Sequence, residues 1–285
     1  MEIRSVAVVG AGTMGAGIAQ VCAQVGCQVV LYDIREELAR KGRAGIERFL
    51  AKGVEKGKTT EADKEAVLSR ISLSADLGGA AGGCDLVIEA APEELALKRR
   101  IFAQVAAAAP GHALLATNTS SLPISEIARG NAAAARIVGM HFFNPVPLMK
   151  LLEIVVGRET APGTTAAVRV FGERLGKEVI TVKDAPGFAS SRLGICIAME
   201  AIRMVEAGVA SADDIDRAMV FGYGHPMGPL RLTDLVGLDV RMAIAEHLAT
   251  ALGAPHFTPP ALLRTLVQQG KLGKKSGQGF YGWKE

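Results

Sequence analysis

Aromatic side chains make up only 5% of this 285-residue chain, so any core it builds must be filled mainly by aliphatic groups. Cysteine is also sparse. Cys22, Cys27, Cys84 and Cys196 stand in apolar surroundings, with no C-x-x-C and no metal-ligand spacing. That argues against a disulfide scaffold and a metal centre, and it reads as reduced core thiols in a cytoplasmic protein. No stretch is long and apolar enough to span a bilayer. The apolar run near the N-terminus is broken by Gly10 and Gly12, so it reads as a strand and not as an export signal. A large excess of one charge is lacking too: a net charge of +3 gives no general affinity for nucleic acid, and any basic contact must come from a local cluster. What remains is 49% hydrophobic with 33 glycines, and long enough for one large or two modest domains.

The most informative stretch is Val6 to Asp33. A short apolar run, Val6–Val9, is followed by Gly10-Ala11-Gly12-Thr13-Met14-Gly15, a helical segment, and a second apolar run ending in Asp33. This is the context in which G-x-G-x-x-G binds a dinucleotide. Gly10 allows the tight turn, Gly12 lets backbone approach a pyrophosphate, and Gly15 lets helix and strand pack closely. The free N–H groups of Thr13, Met14 and their neighbours then face the phosphates. Asp33 is placed to accept hydrogen bonds from the adenosine ribose, which favours NAD. Arg35 is a counter-signal for a 2′-phosphate, so NADP stays open.

From Glu36 to about Lys56 the pattern is helical, with Leu38, Ile46, Phe49 and Leu50 as an apolar stripe. Gly57 stops it, and Thr60 with Asp63 predicts a capping box on a second helix. Two helices before the next strand exceed an ordinary crossover and predict a hairpin projecting from the sheet. Arg48, Lys52 and Lys56, spaced by four, share one helix face. They form either a solvated surface or a grip for a polyanionic handle.

Buried strands are expected at Asp85–Glu89, Ala113–Thr117, Ile137–Met140 and Leu151–Val156. Asn118-Thr119-Ser120-Ser121 follows one of these strands at its carboxyl end, where open α/β sheets bind ligands. Glu153 lies inside another. A buried carboxylate requires a partner, and His141 is the obvious one. After Lys183 no strand run follows. Helical patterns occupy Phe188–Glu206, Ala212–Val220, Leu230–Leu252 and Pro260–Gln269. The expected architecture is α/β: a Rossmann-type dinucleotide-binding domain over 1–183 with a helical hairpin insertion, then an all-α domain over 184–285 that pairs with a second copy.

With a nicotinamide at the fingerprint, the simplest chemistry is hydride transfer at a carbinol or ketone carbon. His141 would move the hydroxyl proton, with Glu153 holding its other ring nitrogen. Ser120 can hydrogen-bond the substrate oxygen, and Asn144 can orient the nicotinamide amide or the substrate. His225 is a rival histidine, though its Tyr-Gly-His-Pro-Met-Gly-Pro setting suits a rigid connector.

Val8–Gly15, Asn118–Leu122, His141–Glu153, Lys183–Arg192 and the Gly273–Gly277 tail together resemble the short-chain 3-hydroxyacyl-CoA dehydrogenase family, in particular its bacterial 3-hydroxybutyryl-CoA branch. The resemblance runs over essentially the whole chain. It implies a Rossmann domain, a helical dimerisation domain, and reversible NAD-linked oxidation of an (S)-3-hydroxyacyl-CoA to the 3-ketoacyl-CoA. It assigns His141 and Glu153 as the catalytic pair and Ser120 as a substrate contact. Asp33, Glu93, Lys98, Asn144 and Lys275 become cofactor contacts, and Lys56 a CoA contact. One position departs from the family: Ser191 stands before Arg192, where many members place Asn, which leaves a substrate-side hydrogen bond to Ser191. A related enzyme acting on a free sugar acid would share the fold and the histidine without needing the basic hairpin. A non-catalytic NAD-binding relative would lack the His–Glu pair.

Overall fold

Short β-branched runs alternate with helical stretches from residue 5 onward, the pattern that builds parallel strands joined by crossover helices. The computed structural model, which describes residues 2–283, divides into two compact units, Met1–Ala185 and Pro186–Glu285.

In the first unit eight strands form one sheet in the order β3-β2-β1-β4-β5-β6-β7-β8. They are β1 Ser5–Val9, β2 Gln28–Tyr32, β3 Ile71–Ser74, β4 Leu86–Glu89, β5 Leu114–Thr117, β6 Ile137–Phe142, β7 Leu151–Val156 and β8 Glu178–Lys183. Pairings are parallel from β3 through β6, antiparallel between β6 and β7, and parallel again between β7 and β8. The order reverses beside β1, so the carboxyl ends of β1 and β4 flank the switch point where such sheets bind ligands. Helices α1 Thr13–Gln24, α2 Glu36–Glu55, α3 Glu61–Ser69, α4 Leu77–Ala81, α5 Leu95–Ala108, α6 Ile124–Ala128 and α7 Pro162–Arg174 complete this unit. The central strands are buried on both faces, as a doubly covered parallel sheet requires.

The hairpin of α2 and α3 is present, and Thr60 with Asp63 closes the expected capping box. The buried stripe of α2 is Ala39, Gly42, Ile46 and Leu50. Phe49, expected in that stripe, is exposed instead. Gly42 explains the shift: a Cβ there would stand 2.6 Å from the Ala11 carbonyl oxygen, so α2 turns its smallest residue toward the fingerprint loop.

The second unit is helical: α8 Ser190–Glu206, α9 Ala212–Arg217, α10 Pro229–Val236, α11 Leu238–Leu252 and α12 Ala261–Gln268. Ile195, Met199, Ile202, Leu230, Leu238, Leu248 and Leu263 fill its core. The continuous helix expected over 230–252 is two helices, broken at Gly237. Its φ of +107° is one that a side chain disfavours. Fully buried Asp234 on α10 ties down the tail by accepting from the N–H groups of Phe280 and Tyr281 and from Trp283 Nε1. Of the four cysteines, three are buried as expected, while Cys196 on α8 is exposed. No helix among the described residues is long and apolar enough to cross a membrane.

Candidate active site

The fingerprint folds as its spacing demands. Gly10 has φ +104°, and a Cβ on it would lie 2.7 Å from the Ala90 carbonyl oxygen. A Cβ on Gly15 would lie 1.7 Å from the Gly10 oxygen, so any side chain there would push α1 off the loop. A Cβ on Gly12 would meet nothing within 4 Å. Gly12 caps α1 without a side-chain hydrogen bond, and no acid stands in the first turn. Free N–H groups therefore face open space, which fits a pyrophosphate. Asp33, just past β2, accepts the Ala11 N–H at 2.8 Å through Oδ2 and the Ile34 N–H at 2.8 Å through Oδ1. The loop is thereby tied to the carboxylate expected at the ribose.

Beyond β4, a buried polar cluster sets the opposite wall. Lys98 and Glu89 are each 1% exposed, with Nζ 2.6 Å from Glu89 Oε1. Glu89 also accepts the Ala91 N–H and the Thr117 hydroxyl, so one carboxylate joins β4, β5 and α5. Lys98 reaches Glu93 Oε2 at 3.3 Å. Glu93 in turn accepts from the Thr119 hydroxyl and the N–H groups of Ser120 and Ser121. Burial works against its ionisation, but the Thr119 hydroxyl and the Lys98 charge prevail, and its pKa is lowered. Lys98, expected among the cofactor contacts, is thus enclosed by protein groups, while Glu93 faces the cavity and shapes the Ser120 loop.

His141 and Glu153 occupy directly opposed positions in the antiparallel register of β6 and β7. The Nδ1–Oε2 distance is 2.7 Å, with Glu153 fully buried and His141 6% exposed. A carboxylate opposite Nδ1 selects the tautomer protonated there. Phe143 lies against the imidazole, with ring centroids 4.4 Å apart. Asn118 Oδ1 accepts the Phe142 N–H at 2.9 Å, pinning the end of β6 to the end of β5.

These groups converge. A cavity of about 340 Å³ is lined by Met14, Ala90, Glu93, Ser120, His141 and Asn144, together with Asn118 and Phe143. Asn118 and Phe143 were not among the residues assigned from sequence. Their signal was position alone, directly after strands whose carboxyl ends face the switch point.

The remaining expected residues lie elsewhere. Arg48, Lys52 and Lys56 are exposed on the hairpin, with Lys56 capping α2. Ser191 and Lys275 belong to the second unit. Ser191 is half-buried in the first turn of α8, and Lys275 Nζ lies 2.6 Å from Asp239 Oδ2.

Known proteins share the two domains. The family model for the 3-hydroxyacyl-CoA dehydrogenase NAD binding domain matches residues 5–185, and that for the 3-hydroxyacyl-CoA dehydrogenase C-terminal domain matches residues 187–283. A probable 3-hydroxybutyryl-CoA dehydrogenase of Bacillus subtilis is 45% identical over 285 residues, covering 100% of this chain and 99% of the relative. The 3-hydroxybutyryl-CoA dehydrogenase of Mycobacterium tuberculosis is 43% identical over 281 residues, 98% of each chain. The crystal structure of (S)-3-hydroxybutyryl-CoA dehydrogenase from Ralstonia eutropha superposes with a TM-score of 0.95 at 43% identity, covering 100% of both chains.

Proposed function

Since the chain belongs to the 3-hydroxyacyl-CoA dehydrogenase family, we propose that it catalyses the reversible, NAD-linked oxidation of a short-chain (S)-3-hydroxyacyl-CoA, of the 3-hydroxybutyryl class, to the 3-ketoacyl-CoA. The observation that carries this reading is His141, held by buried Glu153 and lining a cavity that also includes Met14 of the fingerprint helix.

The fingerprint loop of Gly10, Gly12 and Gly15 would hold NAD, which would supply a hydride acceptor for the carbinol carbon. His141 takes the hydroxyl proton at Nε2, and Glu153 stabilises the resulting imidazolium through Nδ1–H. In the reverse direction the imidazolium returns that proton to the ketone oxygen. Ser120 hydrogen-bonds the reacting oxygen, and Asn144 orients the nicotinamide amide. Gly12 and the first turn of α1 receive the pyrophosphate, and Asp33 the ribose. Lys98 acts through Glu93.

The basic face of Arg48, Lys52 and Lys56 grips the nucleotide phosphates of CoA. Replacing all three with Ala should raise KM for an acyl-CoA, chiefly at low salt, and hardly affect a pantetheine thioester. Equal weakening of both substrates would remove the hairpin from substrate binding. The second unit supplies the homodimer contact, a reading supported by exposed Leu193, Val209, Phe221 and Tyr223 and tested by sedimentation. Four unpaired thiols suit a cytoplasmic setting.

NADH oxidation measured with acetoacetyl-CoA, free acetoacetate and 3-keto sugar acids tests the whole reading. Turnover confined to the CoA thioester is expected. Turnover of the free acids alone, or of none, overturns it.

A further inference from the structure

The cavity of the first unit is electrically lopsided. Among the described residues that line it, Glu93 carries a charge and His141 can acquire one, while every other lining group is neutral. Glu93 has a cation behind it, with Lys98 Nζ 3.3 Å from Oε2, but the same ammonium stands 2.6 Å from Glu89 Oε1. One cation between two carboxylates leaves one negative charge over. Glu89 and Lys98 are sealed in the protein, so the surplus is presented to the cavity by Glu93, whose side chain is 36% exposed.

That charge is held still. Glu93 Oε1 accepts from the hydroxyls of Thr119 and Ser121 and from the N–H groups of Ser120 and Ser121. Four donors on one oxygen fix its position and favour its ionised form. A dehydrogenation carried out in this cavity moves a positive charge across it. The carbinol gives up a hydride and a proton. The oxidised nicotinamide ring is cationic and becomes neutral on taking the hydride, and His141 becomes cationic on taking the proton. The net charge is unchanged, but its place is not. Glu153 stands at the end point of that movement, beside His141. Glu93 is the carboxylate left to stand at its beginning.

We infer that Glu93 is the counter-charge to the oxidised nicotinamide ring, so that the surplus charge of Glu89, Lys98 and Glu93 sets how strongly the site prefers NAD⁺ to NADH. This inference rests on the dehydrogenase reading above. The two carboxylates then share one cation between them, Glu93 before hydride transfer and Glu153 after it. A charge fixed in a partly buried site acts more strongly than one in water, and it needs no rearrangement when the charge opposite it changes.

The test measures dissociation constants of the full-length enzyme for NAD⁺, by calorimetric titration, and for NADH, by fluorescence titration. Glu93→Gln should weaken NAD⁺ relative to NADH, shifting the ratio of the two constants by about tenfold or more, the scale of one neighbouring opposite charge. Glu93→Asp keeps the charge and should keep the wild-type ratio, whatever it does to the two constants together. A role confined to shaping the Ser120 loop would move both constants by the same factor in Glu93→Gln, and that result overturns the inference. An equal shift of the ratio in Glu93→Gln and Glu93→Asp also overturns it. Should Glu93→Gln not fold, Glu93→Ala removes the same charge and must give the same shift. If the wild type binds neither nucleotide, the dehydrogenase reading falls together with the inference. If it binds both and turns over acetoacetyl-CoA, but the neutral variants leave the ratio unmoved, the inference alone falls.

Discussion

The ammonium of Lys177 lies 2.6 Å from the carbonyl oxygen of Val146 and also donates to Met149 at 2.8 Å. It is 8% exposed. The segment it holds follows Asn144. On its other side a Cβ on Gly17 of α1 would meet Val146 at 2.9 Å. The segment is thus clamped between the fingerprint helix and the start of β8. Lys177→Met should leave two carbonyls without a donor, at about 1–3 kcal/mol each, seen as a lower Tm. Burial pushes the Lys177 pKa down from 10.5. The unfolded chain therefore binds more protons between the lowered value and 10.5, and stability should rise with pH across that alkaline window. Tm measured against pH should show this rise in the wild type and not in Lys177→Met.

His141→Ala should lower kcat by ~10²–10⁴-fold, the usual range for general acid–base catalysis, with little change in NADH affinity. Glu153→Gln should also lower kcat severely, because it removes the negative charge facing Nδ1. Stopped-flow turnover and fluorescence titration of NADH separate the two effects. Near-normal turnover in both variants would show that the pair is structural.

Lys98→Met should destabilise by about 3–5 kcal/mol, since it strands the buried Glu89 carboxylate. Chemical denaturation reads that loss. Glu93 adds a pH signature. Its lowered pKa means that its contribution is present above the ordinary carboxylate range and is lost as pH falls through the lowered value. Without the Lys98 charge, that acid loss should begin at a higher pH.

Local chemistry explains what could be read in advance. The fingerprint glycines, the Thr60 capping box and the need of a strand-borne Glu153 for a partner are short-range statements, and each is realised in the fold. β8 was not anticipated because Glu178–Lys183 is an edge strand whose residues are exposed or half-exposed. It therefore lacks the apolar run that marks a buried strand. The break at Gly237 was hidden by apolar periodicity continuing on both sides of it. Lys98 reads by resemblance as a cofactor contact, and only the fold shows that Glu89, nine residues earlier at the end of β4, holds it as a buried ion.

NAD(H) should be used in preference to NADP(H), because Asp33 meets a 2′-phosphate with like charge. Asp33→Ala should narrow the ratio of the two kcat/KM values. Equal values in the wild type would assign control to Arg35, whose guanidinium is 3.0 Å from Glu37.

The antiparallel pairing of β6 with β7 makes the His–Glu contact a rung of the sheet itself. Strand register is an all-or-nothing property: a slip by one residue would turn Glu153 to the opposite face of the sheet. The relative placement of the two side chains is therefore insured by backbone hydrogen bonds, which no side-chain substitution removes. In the connection over 143–150, the positions outside the Lys177 contacts with Val146 and Met149 are under no such constraint, since a longer loop adds closure entropy only slowly. Insertions there should leave the proton carrier in place, so substrate preference can be remodelled through that loop while the chemical step is inherited intact.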